Sequence, residues 1–288
     1  MLRSKPVIVP GGSDRLVRLV LVGCGGTGSW LSGGIARVAW ELQRMGRQVE
    51  VQFWDFDKIE PQNVPRQCFS PAEIGLHKAE VLALRYGAAW GIPITTYLQP
   101  FDPRKLGLGD HYGYSYNRPV TILLGAVDNA AARRTLAQAL DSNENNRQAP
   151  AIWHIDCGNS KSSCQVLIGS HNKVEDLREA FSLSCNALPS PTLQHPELLD
   201  PLPEELPGAG ERMSCAELVA VNAQSMTINK LAASLAEEVL VRLLTGKLTY
   251  FAVYADQESG TVRARYTNPD EIAAAIGKTA AFFPIHIN

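Results

Sequence analysis

An apolar run, Leu19-Val20-Leu21-Val22, leads straight into Gly23-Cys24-Gly25-Gly26-Thr27-Gly28. A second run ends in Asp55-Phe56-Asp57 and is followed by Asn63, Arg66-Gln67 and Lys78; a third ends at Asp128-Asn129. Glycine lets a chain turn sharply and brings backbone N–H groups close to a phosphate, and the helix that follows adds partial positive charge at its N-terminus. On its own the glycine loop fits any nucleotide-binding Rossmann unit, or a tight strand-to-helix turn without a ligand. The whole series asks for a nucleotide with phosphates to neutralise and a metal to hold.

Asp55 ends a strand where a carboxylate can accept hydrogen bonds from both ribose hydroxyls. That placement suits a dinucleotide oxidoreductase equally. Asp57 is either a second ligand or the cap of the next turn, and the cap is the better reading. Asn63, Arg66, Gln67 and Lys78 discriminate. Hydride transfer has no need of Arg and Lys after the second strand together with a carboxylate after a later one, whereas a triphosphate does. Arginine offers planar donors to phosphate oxygens and lysine a mobile point charge. A lone Arg or Lys reads as solvated surface; the ordered series argues against that. Asp128 falls on the same sheet edge as Asp55, where it can hold Mg²⁺ against a triphosphate. It can also cap the helix beginning near residue 130, and both roles can hold together. Arg133 is spaced to brace the Asp128 turn.

The elements that position these residues follow from periodicity. A continuous apolar run predicts a buried strand over 18–23, and further strands are predicted over 49–54, 94–98, 119–127, 151–155 and 163–169. Helices are predicted over 28–45, 72–90, 130–141 and, in one or two pieces, 214–246. Gly33-Gly34 implies close packing of the first helix against a strand. Residues 103–118 read as a surface loop. A hairpin is expected over 250–254 and 261–266, turning at Glu258-Ser259-Gly260. Six prolines between residues 188 and 212 suggest a flexible crossover. The fold class is α/β: a Rossmann-like, mostly parallel sheet with flanking helices, plus C-terminal helices and a β-hairpin. Residues 1–187 form the core, and residues 213–288 complete the same domain after the 188–212 crossover.

With 288 residues, 45% hydrophobic and 19% charged, the chain can bury a sizeable core. A net charge of −2 gives no sign of a nucleic-acid or anionic-membrane surface. No apolar leader opens the sequence and no run reaches membrane-spanning length, so a reducing cytoplasm is expected. Six cysteines (24, 68, 157, 164, 185 and 215) include no Cys-x-x-Cys pair, which argues against zinc.

Taken in order, Gly-x-Gly-Gly-x-Gly, Asp-x-Asp, Asn-x-x-Arg-Gln, Lys and Asp-Asn-x-x-x-Arg resemble the adenylation signature of the ThiF/MoeB/HesA family, bacterial relatives of ubiquitin-activating enzymes. The resemblance covers residues 18–170 well and 214–268 in outline, and is greatest to the ThiF-family proteins of PRTRC cassettes. It implies an adenylyltransferase that binds ATP and Mg²⁺. Its partner would be a small ubiquitin-like or sulfur-carrier protein ending in glycine, activated as an acyl-adenylate. Gly23, Gly25, Gly26 and Gly28 would form the phosphate loop and Asp55 would hold the ribose. Asn63, Arg66 and Lys78 would meet the phosphates, with Asp57, Gln67 and Asn129 lining the same site. Asp128 would bind Mg²⁺. A homodimer is usual for the family.

Cys215, in Met213-Ser214-Cys215-Ala216, follows the proline-rich stretch and opens a helix, a setting that favours the thiolate. It is the choice for a thioester-forming residue, and an ordinary helix-start thiol is the competing reading. Cys185 is a second candidate; Cys68, Cys157 and Cys164 read as buried small residues. The family's N-terminal arginine, which reaches the partner subunit's ATP site, has no clear counterpart; Arg3, Arg15 and Arg18 are the substitutes available. Three rivals remain: adenylation without a covalent step, a non-catalytic nucleotide-binding module, and an NAD-dependent oxidoreductase.

Overall fold

The computed structural model describes residues 4–9, 15–106, 119–143, 150–181, 184–201 and 227–283. Among these, eight strands form one sheet: β1 (Val17–Val22), β2 (Val49–Trp54), β3 (Ile94–Tyr97), β4 (Val120–Gly125), β5 (Ile152–Asn159), β6 (Ser163–Gly169), β7 (Tyr250–Asp256) and β8 (Thr261–Tyr266). Their order is β3-β2-β1-β4-β5-β6-β7-β8. The run from β3 to β5 is parallel, and β5 to β8 pair antiparallel. β1 and β4 are buried at every position, which explains their unbroken apolar sequences.

Successive side chains of a strand point to opposite faces, and the two faces are covered by different helices. On one, Leu19, Leu21, Phe53, Ile122 and Trp153 pack with α1 (Gly26–Arg44), α2 (Lys78–Trp90) and α5 (Ile228–Leu244). On the other, Val20, Val22, Trp54, Leu123 and Ile152 pack with Leu136 and Ala139 of α3 (Ala130–Ala139). Each fully buried leucine or phenylalanine stabilises the fold by about 1.5–3 kcal/mol. Two short helices, α4 (Pro191–Gln194) and α6 (Pro269–Ala275), complete the described set.

Several boundaries differ from the periodicity. α1 opens at Gly26 rather than 28. Its Gly33-Gly34 pair packs against helices and not a strand: a Cβ on Gly33 would meet the Tyr86 ring of α2 at 2.9 Å, and one on Gly34 would overlap Glu237 of α5. α2 begins at Lys78 rather than 72. Ser70-Pro71 opens a separate 3-10 turn that Glu73 closes onto the Ser70 N–H at 2.7 Å, and Gly75, at φ +90°, ends it. β5 runs on through Asp156 to Asn159, because β6 pairs with that stretch.

Residues 188–201 of the proline-rich stretch are anchored rather than flexible. Leu188, Ser190 and Gln194 are buried, and the Gln194 amide donates to the carbonyls of Ile168 (2.9 Å) and Pro189 (2.7 Å). The remainder, 202–212, and the expected helix over 214–226 lie outside the described residues, as does most of the 103–118 loop. No described helix is long and apolar enough to cross a membrane.

Candidate active site

In the half-sheet β3-β2-β1-β4-β5 the strand order reverses between β1 and β4. In open α/β sheets, ligands sit in the crevice outside the carboxyl ends of the strands at such a point. The glycine loop leaves β1 there, and Ala126-Val127-Asp128 leaves β4 beside it. Gly23 has φ +87°, and a Cβ on it would stand 2.6 Å from the Ala126 carbonyl oxygen. A Cβ on Gly28 would overlap the Gly23 carbonyl. Gly25 is the N-cap of α1, so no side chain at the cap occupies the first N–H groups of the helix, which starts at the end of β1.

A chain of polar contacts then crosses from β1 to β2. Asp55 accepts from the Cys24 N–H at 2.6 Å through one carboxylate oxygen and from the Asp57 N–H at 2.8 Å through the other. Each oxygen keeps a lone pair, so the carboxylate can still accept from a ligand hydroxyl. Burial is the main influence on its acidity and raises its pKa, against the two backbone hydrogen bonds. Asp57 neither caps a helix nor stands free: its Oδ2 lies 2.9 Å from Lys78 Nζ. The Lys78 side chain is 8% exposed, so it is no solvated surface lysine. An antiparallel bridge between Lys58 and His77 brings the two segments together.

Asn63 is buried, and its Oδ1 accepts from the Glu60 N–H at 2.9 Å inside a 3-10 turn, Pro61–Asn63. Gln67 is buried beside the loop, and its Oε1 has no hydrogen-bond partner among the described residues. The Arg66 side chain is half-buried, and its carbonyl is held twice, by Trp30 Nε1 and by Asn229 Nδ2, each at 3.3 Å. Asn229 Oδ1 in turn accepts from Asn159 Nδ2 at 2.5 Å, and Asn159 also donates to Thr27 Oγ1 at 3.0 Å. Trp30, Asn159 and Asn229 tie the glycine-loop helix, the end of β5 and the start of α5 to the Arg66 segment. Sequence reasoning missed all three, because no motif marks them and their partners lie up to 202 positions away.

Asp128 is exposed at the crevice and is not the cap of α3. That role falls to Asn129, whose Oδ1 accepts from the Ala132 N–H at 2.8 Å. The Asp128 carboxylate is thus left for a ligand, touching the Asn129 amide at 3.3 Å. One carboxylate suits Mg²⁺, which takes its other ligands from phosphates and water. Among the described residues no group of three or more His, Cys, Asp or Glu is placed to hold a metal by itself.

The cysteines divide differently from expectation. Cys24, Cys157 and Cys185 are buried, and burial pushes their thiols up, that of Cys185 to about 12. Cys164 is also buried and pushed up to about 11. Cys68, expected in the core, is half-exposed, with its sulfur 3.6 Å from the Tyr86 hydroxyl. It borders a cavity of about 720 Å³ lined by Trp30, Gln67, Arg85 and Lys230. Cys215 lies outside the described residues. Arg18 is no candidate for reaching a partner subunit: it is buried in β1, 2.8 Å from Glu50 and bonded to the Leu106 carbonyl. Arg3 lies outside the described residues.

The ThiF family model matches residues 12–271. No curated protein matches the chain. Among solved structures it is similar to E. coli MccB with ATP, at TM-score 0.53 and 14% identity over 91% of this chain and 67% of that one. E. coli MccB with AMPCPP and MccA gives TM-score 0.52 and 15% identity over 88% and 64%. PaaA gives TM-score 0.50 and 17% identity over 87% and 64%. At these identities the likeness speaks for the fold, and the chain spans 64% of the length of PaaA and of MccB in that second structure.

Proposed function

The chain belongs to the ThiF family, and on that premise we propose that it uses ATP to adenylate the C-terminal carboxylate of a small protein or peptide. The observation that carries the reading is the contact chain from Lys78 through Asp57 and Asp55 to the Cys24 N–H. It sets a held cation and a ribose-binding carboxylate against the glycine loop, with Asp128 across the switch point. A carboxylate oxygen of the substrate attacks the α-phosphorus, the bond from that phosphorus to the bridging oxygen breaks, and pyrophosphate leaves. The attacking group is already ionised, so no general base is needed. Lys78 and Arg66 stabilise the charge that develops on the phosphates, the kind of contribution that is often the largest in catalysis. Mg²⁺ bound at Asp128 would neutralise phosphate charge.

The finer reading takes the substrate as a ubiquitin-like or sulfur-carrier protein ending in glycine, activated by a cytoplasmic homodimer of the PRTRC type. E. coli MccB has been solved with ATP and, in another structure, with AMPCPP and MccA, which supports a small protein or peptide as the second substrate. In a following step the Cys215 thiolate would attack the acyl carbon and displace AMP, leaving a thioester. Intact-mass spectrometry of a reaction with ATP, Mg²⁺ and a Gly-Gly-ending protein tests both steps. Wild type should carry the acyl group on Cys215, and Cys215→Ala should stop at the adenylate. Transfer undiminished in Cys215→Ala would leave adenylation without a covalent step. An NADH titration that shows binding would favour the oxidoreductase instead.

A further inference from the structure

Behind the switch point lies a buried charged group that the proposed reaction does not use. Asp156 of β5 is 1% exposed, and one of its carboxylate oxygens has no hydrogen-bond partner among the described residues. Its other oxygen lies 3.5 Å from Arg133 Nε of α3, an ion pair in which that nitrogen makes no hydrogen bond among the described residues. His154, two residues earlier on the same face, is fully buried, and among the described residues neither ring nitrogen is hydrogen-bonded. Such a pair is weak evidence for stability, since the desolvation of both charges offsets their attraction and apolar residues would serve as well. The use of the pair is seen at the arginine's other end. Arg133 Nη2 donates at 3.0 Å to the carbonyl of Val127, the residue immediately before Asp128.

That peptide is wedged from the opposite side as well. Val127 Cγ1 and the Ala126 carbonyl stand against Gly23 of the glycine loop, and the Ala126 N–H donates to the Val22 carbonyl at 2.9 Å. The Asp128 side chain is itself exposed, so its location depends on the backbone of this turn. We propose that Arg133, paired with Asp156, is a positioning residue that fixes the Val127–Asp128 turn for binding of the cation that accompanies the triphosphate. This rests on the function proposed above. A guanidinium can reach a carboxylate and a carbonyl at once through its rigid fork, and an ammonium cannot do so with the same geometry.

The test is calorimetric titration of the full chain with ATP, with and without Mg²⁺. The proteins are wild type, Asp128→Ala, Arg133→Lys and the double variant. The proposed function requires a Mg²⁺-dependent gain in affinity that Asp128→Ala removes; a wild type that binds no ATP overturns that reading and this inference with it. Given the gain, Arg133→Lys should keep its Mg²⁺-free affinity and lose about tenfold in the Mg²⁺-dependent part. It should add nothing in the Asp128→Ala background. A full Mg²⁺ gain in Arg133→Lys, or a loss that persists without Asp128, overturns the inference and leaves the function standing. Asp156→Asn, nearly isosteric, loosens the same clamp from behind and should lose part of the gain; it decides the matter if Arg133→Lys does not fold.

Discussion

Asp57 Oδ2 and Lys78 Nζ lie 2.9 Å apart, the aspartate half-exposed and the lysine almost wholly covered. The lysine is therefore held in one place before any ligand arrives. Lys78→Ala should lower the rate of ATP–pyrophosphate exchange by ~10²–10³, the scale of removing one preorganised electrostatic group. Asp57→Ala removes the orientation and keeps the charge, so a loss of about tenfold is expected. The double variant should be no slower than Lys78→Ala, because the two act as a unit. Multiplying effects would contradict the coupling.

Gly28 and Gly46 make a matched comparison. A Cβ at Gly28 would overlap the Gly23 carbonyl and lie 3.3 Å from the Ala126 side chain, whereas one at Gly46 would meet nothing within 4 Å. Gly28→Ala should cost about 1–3 kcal/mol through overpacking and abolish ATP binding. Gly46→Ala pays only for its φ of +82°, about 1–2 kcal/mol, and should bind ATP normally. Denaturant unfolding with ATP titration on both variants checks this.

His154 should make the protein acid-sensitive. Burial, and secondarily Arg133, lowers its pKa to about 3, from 6.5 in the unfolded chain. Between those values the unfolded chain binds a proton that the native protein refuses, so stability falls as pH falls from 6.5 toward 3. Burial raises Asp156 and works in the opposite direction, but a comparison that keeps Asp156 isolates the histidine. His154→Leu should be neutral or stabilising at pH 7.5, since it removes two unpaired buried nitrogens. Its advantage should then grow by up to about 1.4 kcal/mol per pH unit below 6.5. A difference that stays flat to pH 4.5 would contradict the assignment.

Arg18 is structural. Arg18→Met breaks its contacts with Glu50 and the Leu106 carbonyl and should cost about 1–3 kcal/mol. Exchange activity measured well below the melting temperature should not change. A fall in activity at full folding would return Arg18 to the list of groups that serve a partner's site.

What was legible in the sequence was the local and the continuous. The apolar runs read directly as β1 and β4, because strands buried on both faces need no alternation. The glycine loop and the carboxylates that follow the strands could be read because the strand ends place them. Gly75, at φ +90°, was a sign that α2 starts late, yet helical spacing from Ile74 onward masked it. Long-range pairing left no such trace. Lys78 is buried because Asp57 meets it 21 positions away, and Arg18 looks like a surface arginine until the β1/β2 register sets it opposite Glu50. Asn229, Asn159 and Trp30 support the Arg66 segment from three separate elements, and only the fold brings them together. Asp128 and Asn129 are adjacent residues of similar capping preference, and the backbone alone decides that Asn129 caps α3.

The most direct test is ATP–pyrophosphate exchange with Mg²⁺, in the presence and absence of small proteins ending in Gly-Gly, beside an Asp128→Ala control. The account predicts exchange that requires such a protein and disappears in Asp128→Ala. Tight ATP binding with no exchange for any such protein would contradict it and make the chain a non-catalytic nucleotide-binding module.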